Sequence, residues 1–218
     1  MCRTLITEVK NIPSSFVTTV HSQNGGTCYA HAVSSAIRSV ESRIFGRVPT
    51  DFNALRDAIV SRHGVNGAFL LEVLEQEIKD SHVQRKGPRQ GFGCKVVSAE
   101  EAANAVQEGR VVVLEFYLSD AQWKNFSCFF GDNKRGVLTR AHLTGKKEGK
   151  LTGHAVVITA HDETSWTVKN SWGSEWANEG FCRIGKELTV DLNTKFIDVF
   201  FIASELPEED IERFNRFS

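Results

Sequence analysis

Ser22-Gln23-Asn24-Gly25-Gly26-Thr27-Cys28-Tyr29-Ala30-His31 is a stretch in which a glycine-rich turn leads directly into a cysteine. Apolar side chains recur at helical spacing from Ala30 to Ile44, and Thr27 stands where an N-terminal cap is expected. The pattern predicts a helix that begins at Cys28, so the thiol lies at the positive end of a helix. A helix N-terminus and a histidine neighbour both lower a thiol pKa, which makes Cys28 a candidate nucleophile. An ordinary buried cysteine is the alternative that this stretch leaves open.

The turn before the cysteine also has the features of an oxyanion site. Gln23 carries a side-chain N–H donor, and the backbone N–H of Cys28 is a second donor. Gly25 and Gly26 allow a tight turn and let a substrate carbonyl approach the main chain. We therefore predict that the turn supplies oxyanion donors beside the thiol.

The composition excludes several classes of function. The 218 residues carry a net charge of −1, so there is no electrostatic reason to expect nucleic acid or an anionic membrane as a partner. The apolar runs are shorter than a bilayer span, and Met1 to Ile6 lack the apolar core of a signal peptide. The five cysteines are odd in number and show no paired spacing, which favours a reducing compartment. We therefore expect a cytoplasmic location.

Helical patterns dominate the chain as far as Val97. Apolar spacing predicts a second helix over Phe52 to Ile59, with Thr50 before its first turn, and a third over Leu71 to Ile78. A polar, glycine-containing loop is predicted for Ser81 to Gly93.

Strand patterns dominate after Val97. Ser98 and Glu101 form a capping-box pattern that opens a short helix ending at Gly109. The predicted strands span Val111 to Leu118, His154 to Ala160, Trp166 to Asn170, Gly180 to Ile184 and Phe196 to Ala203. Helices followed by strands predict an α+β fold rather than alternating βαβ units.

We predict a single domain over residues 1–204. Its mainly helical lobe spans about 21–97 and its mainly β lobe about 98–204, with the lead-in from Met1 to Val20 packed across the fold. Lys134 to Lys150 has the composition of a solvated loop. The charged tail, residues 205–218, is expected to be a solvated segment, with a short helix as one alternative, rather than a docking helix.

The second half of the chain offers the base and the orienting group that a thiol nucleophile needs. His154 opens one predicted strand and Asn170 closes the next, 16 residues later. If the two strands form a hairpin, Asn170 returns towards His154, and its carbonyl fixes the tautomer of the imidazole. Trp172 is placed to shield that hydrogen bond from water. We predict a Cys28, His154 and Asn170 triad.

These residues resemble the signature blocks of the papain-like cysteine peptidases. The blocks are Cys28-Tyr29-Ala30, Gly153-His154-Ala155-Val156 and Lys169-Asn170-Ser171-Trp172-Gly173-Ser174-Glu175-Trp176, followed by Glu179-Gly180-Phe181-Cys182-Arg183-Ile184. Val65-Asn66-Gly67-Ala68-Phe69 is similar to the segment of that family that lines the substrate cleft. The resemblance covers about Ile12 to Ala203.

The resemblance implies a two-lobed fold, with a helical lobe that carries Cys28 and a β-barrel-like lobe that carries His154 and Asn170. It also implies an endopeptidase that works through an acyl-enzyme, with Gln23 as the oxyanion donor. The implied substrate-binding residues are Asn66, Gly67, Ala68, Phe69, Leu70, Gly153, Ala155 and Trp172. Phe69, Leu70 and Ala155 suggest an apolar pocket for the side chain one residue before the scissile one, and Gly153 adds no charge there.

The expected partners follow from the same resemblance. They are a polypeptide substrate and a protein inhibitor or propeptide supplied outside this chain, and we expect a monomer. The other histidines show no metal-ligand spacing with the cysteines, so we expect neither a metal nor another cofactor.

The sequence departs from the family at three places. Gln23 stands five positions before Cys28, where six are usual, so the oxyanion turn is one residue shorter. The cysteine usual in that turn is absent, and Val65 stands where its disulfide partner is expected. His31 replaces the common aromatic residue of the cysteine helix.

Two other functions remain open at this point. Asn24 to Tyr29 also resembles the cysteine box of ubiquitin-specific proteases, which favours an isopeptidase, although the His and Asn blocks do not follow that family. A papain-like binding or regulatory domain without activity is the non-enzymatic alternative.

The aromatic cluster of Trp123, Phe126, Phe129 and Phe130 fits either a cleft wall or, more commonly, ordinary core.

Overall fold

The computed structural model describes residues 19–44, 47–83, 89–144 and 149–217. The lead-in predicted for Met1 to Val20 therefore lies almost wholly outside the described residues, as does part of the loop predicted for Lys134 to Lys150. Within the described ranges, no helix is both long and apolar enough to cross a membrane.

The predicted helices are confirmed. They span Cys28–Ser42 (α1), Phe52–His63 (α2), Leu70–Val83 (α3) and Ala99–Gln107 (α4). α1 is buried on most of its sides, because its alanine, serine and valine side chains are small enough to let neighbouring elements approach closely.

Two of the expected helix caps are wrong and one is confirmed. The hydroxyl of Thr27 does not cap α1 but donates to the carbonyl of Asn24 at 2.9 Å. The cap of α2 is Asp51 rather than Thr50, because the Asp51 carboxylate accepts from the Ala54 backbone N–H at 2.9 Å. The capping box of α4 is present, with both of its reciprocal hydrogen bonds.

The described strands form one sheet in the order β1-β7-β2-β4-β5-β6-β3. They span Phe92–Val97 (β1), Val112–Ser119 (β2), Val137–Leu138 (β3), Leu151–His161 (β4), Ser165–Lys169 (β5), Phe181–Gly185 (β6) and Lys195–Phe201 (β7). Neighbouring strands are antiparallel, except that β3 runs parallel to β6. β4 and β5 form the predicted hairpin, and helices first with sheet later confirm the α+β class.

Four elements are absent from the sequence prediction. They are β1, β3 and the helices Asp120–Asp132 (α5) and Lys186–Asp191 (α6). α5 carries the aromatic cluster, and its Phe126 and Phe130 are buried in the core, as an ordinary aromatic core requires. The loop predicted for Ser81 to Gly93 is too long at both ends, since α3 runs to Val83 and β1 begins at Phe92. β1 pairs with β7, so this strand depends on a partner about 100 residues away.

Hydrophobic side chains form two cores, one on each face of the sheet. Helices α1, α2 and α3 contribute to the first core together with strand residues such as Val113 and Ala155. Helices α4 and α5 contribute to the second core together with Phe116. Since successive strand residues face opposite sides, Ala155 belongs to the first core, whereas the neighbouring His154 ring contacts Phe116 of the second.

The charged C-terminal tail is not a purely solvated segment. It contains a 3-10 turn, Ala203–Glu205, and a helix, Glu208–Phe217 (α7). Leu206 and Asp210 are buried, and Asp210 forms a salt bridge with Arg47. The start of the tail is therefore fastened to the body of the protein.

Candidate active site

The thiol of Cys28 is half-buried at the first residue of α1, beside a cleft of about 580 Å³. Burial raises the pKa of the Cys28 thiol, and hydrogen bonds from the backbone N–H groups of Ala155 and Tyr29 oppose that shift. The surroundings of the sulfur alone therefore favour the neutral thiol, and a nucleophilic role requires a base nearby.

His154 and Asn170 lie together, as the predicted hairpin requires. Nε2 of His154 is 2.8 Å from Oδ1 of Asn170, and both side chains are buried. Asn170 Oδ1 also accepts from the Ser171 backbone N–H at 2.8 Å, which identifies this atom as the oxygen of the amide. His154 Nε2 therefore donates the hydrogen bond, and Nδ1 is the ring nitrogen left to accept a proton.

The environment of His154 is largely apolar. The ring of Trp172 lies 5.1 Å from the imidazole, and those of Trp123 and Phe116 lie 5.6 and 5.7 Å away. Burial lowers the pKa of His154 to about 4, and the hydrogen bond to Asn170 opposes that shift. The imidazole considered by itself is thus neutral at pH 7, which suits a proton acceptor.

The cleft brings Cys28 and His154 to one surface. One wall consists of the start of α1 and residues between His63 and Gln76, and the other of residues from β2 and the first half of β4. The predicted substrate-binding residues Asn66, Gly67, Ala68, Phe69, Leu70, Gly153 and Ala155 all line it. Trp172 does not line it within the described chain, since its ring lies against His154.

Gln23 is held firmly at the edge of the site. Its Nε2 donates to the carbonyl of Gly25 at 2.8 Å, while its Oε1 accepts from the Ser171 hydroxyl at 2.6 Å. Among the described residues that line the cleft, Gln23 is absent. The Gly25 bond uses one of the two amide hydrogens, and the oxyanion role of Gln23 stays a prediction.

The glycine turn packs against the segment 65–67, on the same side of the cleft. Gly25 has a φ of +61°, a conformation that side chains disfavour. The Gly26 backbone N–H donates to the Val65 carbonyl at 2.8 Å, and a Cβ at Gly26 would lie 2.8 Å from the Gly67 nitrogen. The sequence predicts that these glycines let a substrate carbonyl approach the main chain. In the structure they also let the turn pack against residues 65–67.

Two cleft residues on β2, Glu115 and Tyr117, are not predicted from the sequence. They lie within the apolar run from Val111 to Leu118, which the sequence identifies only as a buried strand. The single carboxylate in this apolar run was the available signal of a functional residue, because a charged side chain in a buried strand is rare unless it has a partner.

Within the part of the chain that the structure describes, no three His, Cys, Asp or Glu side chains are grouped as a metal site. The described cysteines, at 28, 94, 128 and 182, are free thiols.

Known proteins resemble this chain in sequence and in fold. Cathepsin O of Homo sapiens is 27% identical over 73% of this chain, and mexicain of Jacaratia mexicana is 24% identical over 77%. The matches span 54% of cathepsin O, about half of its length, and 83% of mexicain. The bromelain protease of Ananas comosus, solved with the E64 inhibitor, has a TM-score of 0.58 at 18% identity and covers 86% of this chain and 95% of its own. This neighbour confirms the papain-like α+β fold.

A family model, described as papain family cysteine protease, matches residues 77–197. The match contains His154 and Asn170, the blocks that do not follow the ubiquitin-specific proteases, and it begins after Cys28. Since it covers more than half of the 218 residues, this chain belongs to the papain family of cysteine proteases.

Proposed function

We propose that this protein is a cysteine endopeptidase that hydrolyses peptide bonds through Cys28, His154 and Asn170 and a covalent acyl-enzyme. Membership of the family supports cysteine peptidase function in general. The observation that carries the specific proposal is the buried hydrogen bond of 2.8 Å between His154 and Asn170, in the wall of the cleft that Cys28 also lines.

The first half of the reaction forms the acyl-enzyme. His154 Nδ1 accepts the thiol proton, and the Cys28 sulfur attacks the carbonyl carbon of the scissile bond to form a tetrahedral intermediate. The intermediate collapses when the carbon–nitrogen bond breaks and His154 gives its proton to the leaving amine. The acyl group is then held on Cys28 as a thioester.

The second half regenerates the enzyme. A water molecule gives a proton to His154 and attacks the thioester carbonyl, the carbon–sulfur bond breaks, and the proton returns to the pair. Asn170 Oδ1 accepts from Nε2–H of His154 throughout, which keeps the imidazole in one orientation and leaves Nδ1 available for the proton. The surrounding tryptophan rings limit competition from water for that hydrogen bond.

Negative charge on the carbonyl oxygen requires donors near the thiol. We assign this role to the backbone N–H of Cys28 and to the second amide hydrogen of Gln23. Ser171 supports the assignment, since its hydroxyl and its carbonyl both bind Gln23 and so hold the shortened turn in place.

The cleft suits an extended polypeptide. A volume of about 580 Å³ is enough for several residues, and apolar side chains such as Leu70 and Val73 alternate with polar groups along its walls. We propose that the E64 inhibitor, which occupies the bromelain neighbour, also binds here.

The test is hydrolysis of peptides blocked at both ends, which only an endopeptidase cleaves. We expect wild-type turnover, a loss of at least about 1000-fold in kcat/KM for Cys28→Ala, and a loss of about 100- to 10,000-fold for His154→Ala. Rapid quenching followed by peptide mapping should find the acyl adduct on Cys28. Equal rates for wild type and Cys28→Ala would contradict the mechanism, and no turnover of any peptide would favour the inactive binding domain.

A further inference from the structure

A buried charged group in the cleft has no role in the proposed chemistry. Glu115 is 7% exposed and lies on β2, where it lines the same cleft as Cys28 and His154. A carboxylate removed from water loses hydration that only a cation or several hydrogen bonds replace. The cost of burying Glu115 therefore calls for a compensating partner.

The sheet register places Glu115 beside the nucleophile. Glu115 lies directly opposite Ala155, the residue whose backbone N–H contacts the Cys28 sulfur. Side chains of directly opposed residues share one face of the sheet, with Cβ atoms about 4.5–5.5 Å apart. The carboxylate is therefore close to the atoms that would surround a scissile bond.

Partners within the protein satisfy Glu115 only in part. Tyr117 makes a side-chain hydrogen bond to it from two residues along the same strand. Lys195 is the one cation of the described residues within ion-pair distance, with Nζ 3.9 Å from Oε2 and a side chain 53% exposed. At that distance there is no hydrogen bond, and so exposed a lysine neutralises a carboxylate weakly.

The cleft that contains Glu115 also has buried apolar lining. Leu70, Val73 and Ala155 line the cleft with it and are themselves buried, whereas Lys150, a cation of the same lining, is exposed. A cleft with buried apolar lining and a buried carboxylate matches a side chain with an aliphatic stem and a cationic head. Arginine and lysine are the side chains of a polypeptide with that form.

We propose that Glu115 is a specificity-determining residue that selects substrates with an arginine or lysine close to the scissile bond. This inference rests on the proposed peptidase function and names its substrate class. It replaces the uncharged pocket that Phe69, Leu70 and Ala155 suggest from sequence alone.

The experiment uses doubly blocked, internally quenched peptides that differ by one side chain. At each position near the cleavage site, arginine is compared with citrulline, which has nearly the same shape but no charge. We expect wild type to prefer arginine by about 10- to 100-fold in kcat/KM at one position, as a charge-assisted hydrogen bond predicts. In Glu115→Gln the ratio should fall to near one.

Glu72→Gln is the matched control, because Glu72 also lines the cleft but is exposed. It should change the arginine-to-citrulline ratio by less than about threefold. A ratio near one in wild type, or a preference that survives in Glu115→Gln, would overturn the proposal.

A binding measurement separates this inference from the proposed function. The affinity of the Cys28→Ala protein for the arginine and citrulline peptides reports selection without turnover. Selective binding by Cys28→Ala, with no hydrolysis of any peptide by wild type, would support the role of Glu115 and reject the peptidase. Hydrolysis by wild type, with no preference in rate or in binding, would do the reverse. If Glu115→Gln does not fold, Tyr117→Phe tests the same carboxylate. Without the Tyr117 hydroxyl, Glu115 has one internal partner fewer, so the arginine-to-citrulline ratio should rise; an unchanged ratio would count against the proposal.

Discussion

At the scale of single residues, Cys28 and His154 are each disfavoured as charged groups, and attraction between them stabilises the thiolate–imidazolium pair. Burial favours the neutral form of both groups. Protonating His154 against a pKa near 4 costs about 3 kcal/mol relative to an ordinary histidine. Opposite charges about 4 Å apart attract by about 4 kcal/mol near a protein surface, which offsets the penalty on His154. Ionising a thiol whose pKa burial raises has a further cost, so an ion pair also needs the hydrogen-bond donors at the sulfur. The backbone N–H groups at the sulfur favour the thiolate further.

His31 is a second buried histidine, and its burial makes the stability of the protein depend on pH. It is 4% exposed, its ring lies 5.6 Å from Phe52, and no described residue makes a hydrogen bond to its Nδ1. Burial, followed by the charge of Arg56, lowers the pKa of His31 to about 4. The unfolded chain therefore binds more protons than the folded one between pH 6.5 and 4, and stability falls as the pH falls through that window.

His31→Phe should remove part of this pH dependence. Phenylalanine keeps the contact with Phe52 and has no proton to bind, so the loss of unfolding free energy between pH 7 and 4.5 should shrink by about 2 kcal/mol. Urea denaturation at a series of pH values measures this change. An equal pH dependence in the variant would show that His31 titrates normally in the folded protein.

At the scale of elements, whether a helix cap forms depends on the local sequence and on the structure of the chain before it. Ser98 caps α4 with a reciprocal pair of hydrogen bonds that requires only residues 98–101. Thr27 occupies the same position before α1, but the glycine turn directs its hydroxyl to the Asn24 carbonyl. The motif is thus reliable where the preceding chain is extended and unreliable after a tight turn.

The two positions give a matched pair of substitutions. Ser98→Ala should lower the unfolding free energy by about 1 kcal/mol, because it leaves an N-terminal N–H of α4 without its side-chain partner. Thr27→Ala removes no cap and should cost less than half as much. Thermal and urea unfolding of both variants measure the difference. Equal losses would show that the Thr27 hydroxyl stabilises α1 after all.

At the scale of the whole molecule, the site depends on contacts between distant parts of the chain. The Gln23 backbone N–H donates to the Ser171 carbonyl at 2.6 Å, and Ser22 pairs with Trp172 as an isolated β-bridge. These contacts join the glycine turn to the residues that follow Asn170. Cys28 and His154, the proposed nucleophile and base, are 126 positions apart and line one cleft.

The sequence was sufficient for the features that short patterns encode. Helical spacing predicted α1 to α3, and the capping-box pattern predicted α4. Strand patterns with the hairpin placed Asn170 beside His154. The sequence was insufficient where pairing between distant segments decides, as for β1, which needs β7, and for the tail, which needs Arg47. Glu115 was not predicted as a cleft residue because nothing in the local sequence shows that its face of β2 borders a cleft.

The pH dependence of Cys28 alkylation by iodoacetamide, followed by peptide mapping, tests the central claim that His154 activates Cys28. The reaction should remain fast at about pH 5 to 6 in wild type, because a coupled thiolate and imidazolium persist there. In His154→Ala it should rise only above pH ~8.5, since burial alone raises the pKa of Cys28. The exposed Cys128 is an internal reference in each sample. A wild-type profile that rises only above pH ~8.5, or one unchanged in His154→Ala, would contradict the account.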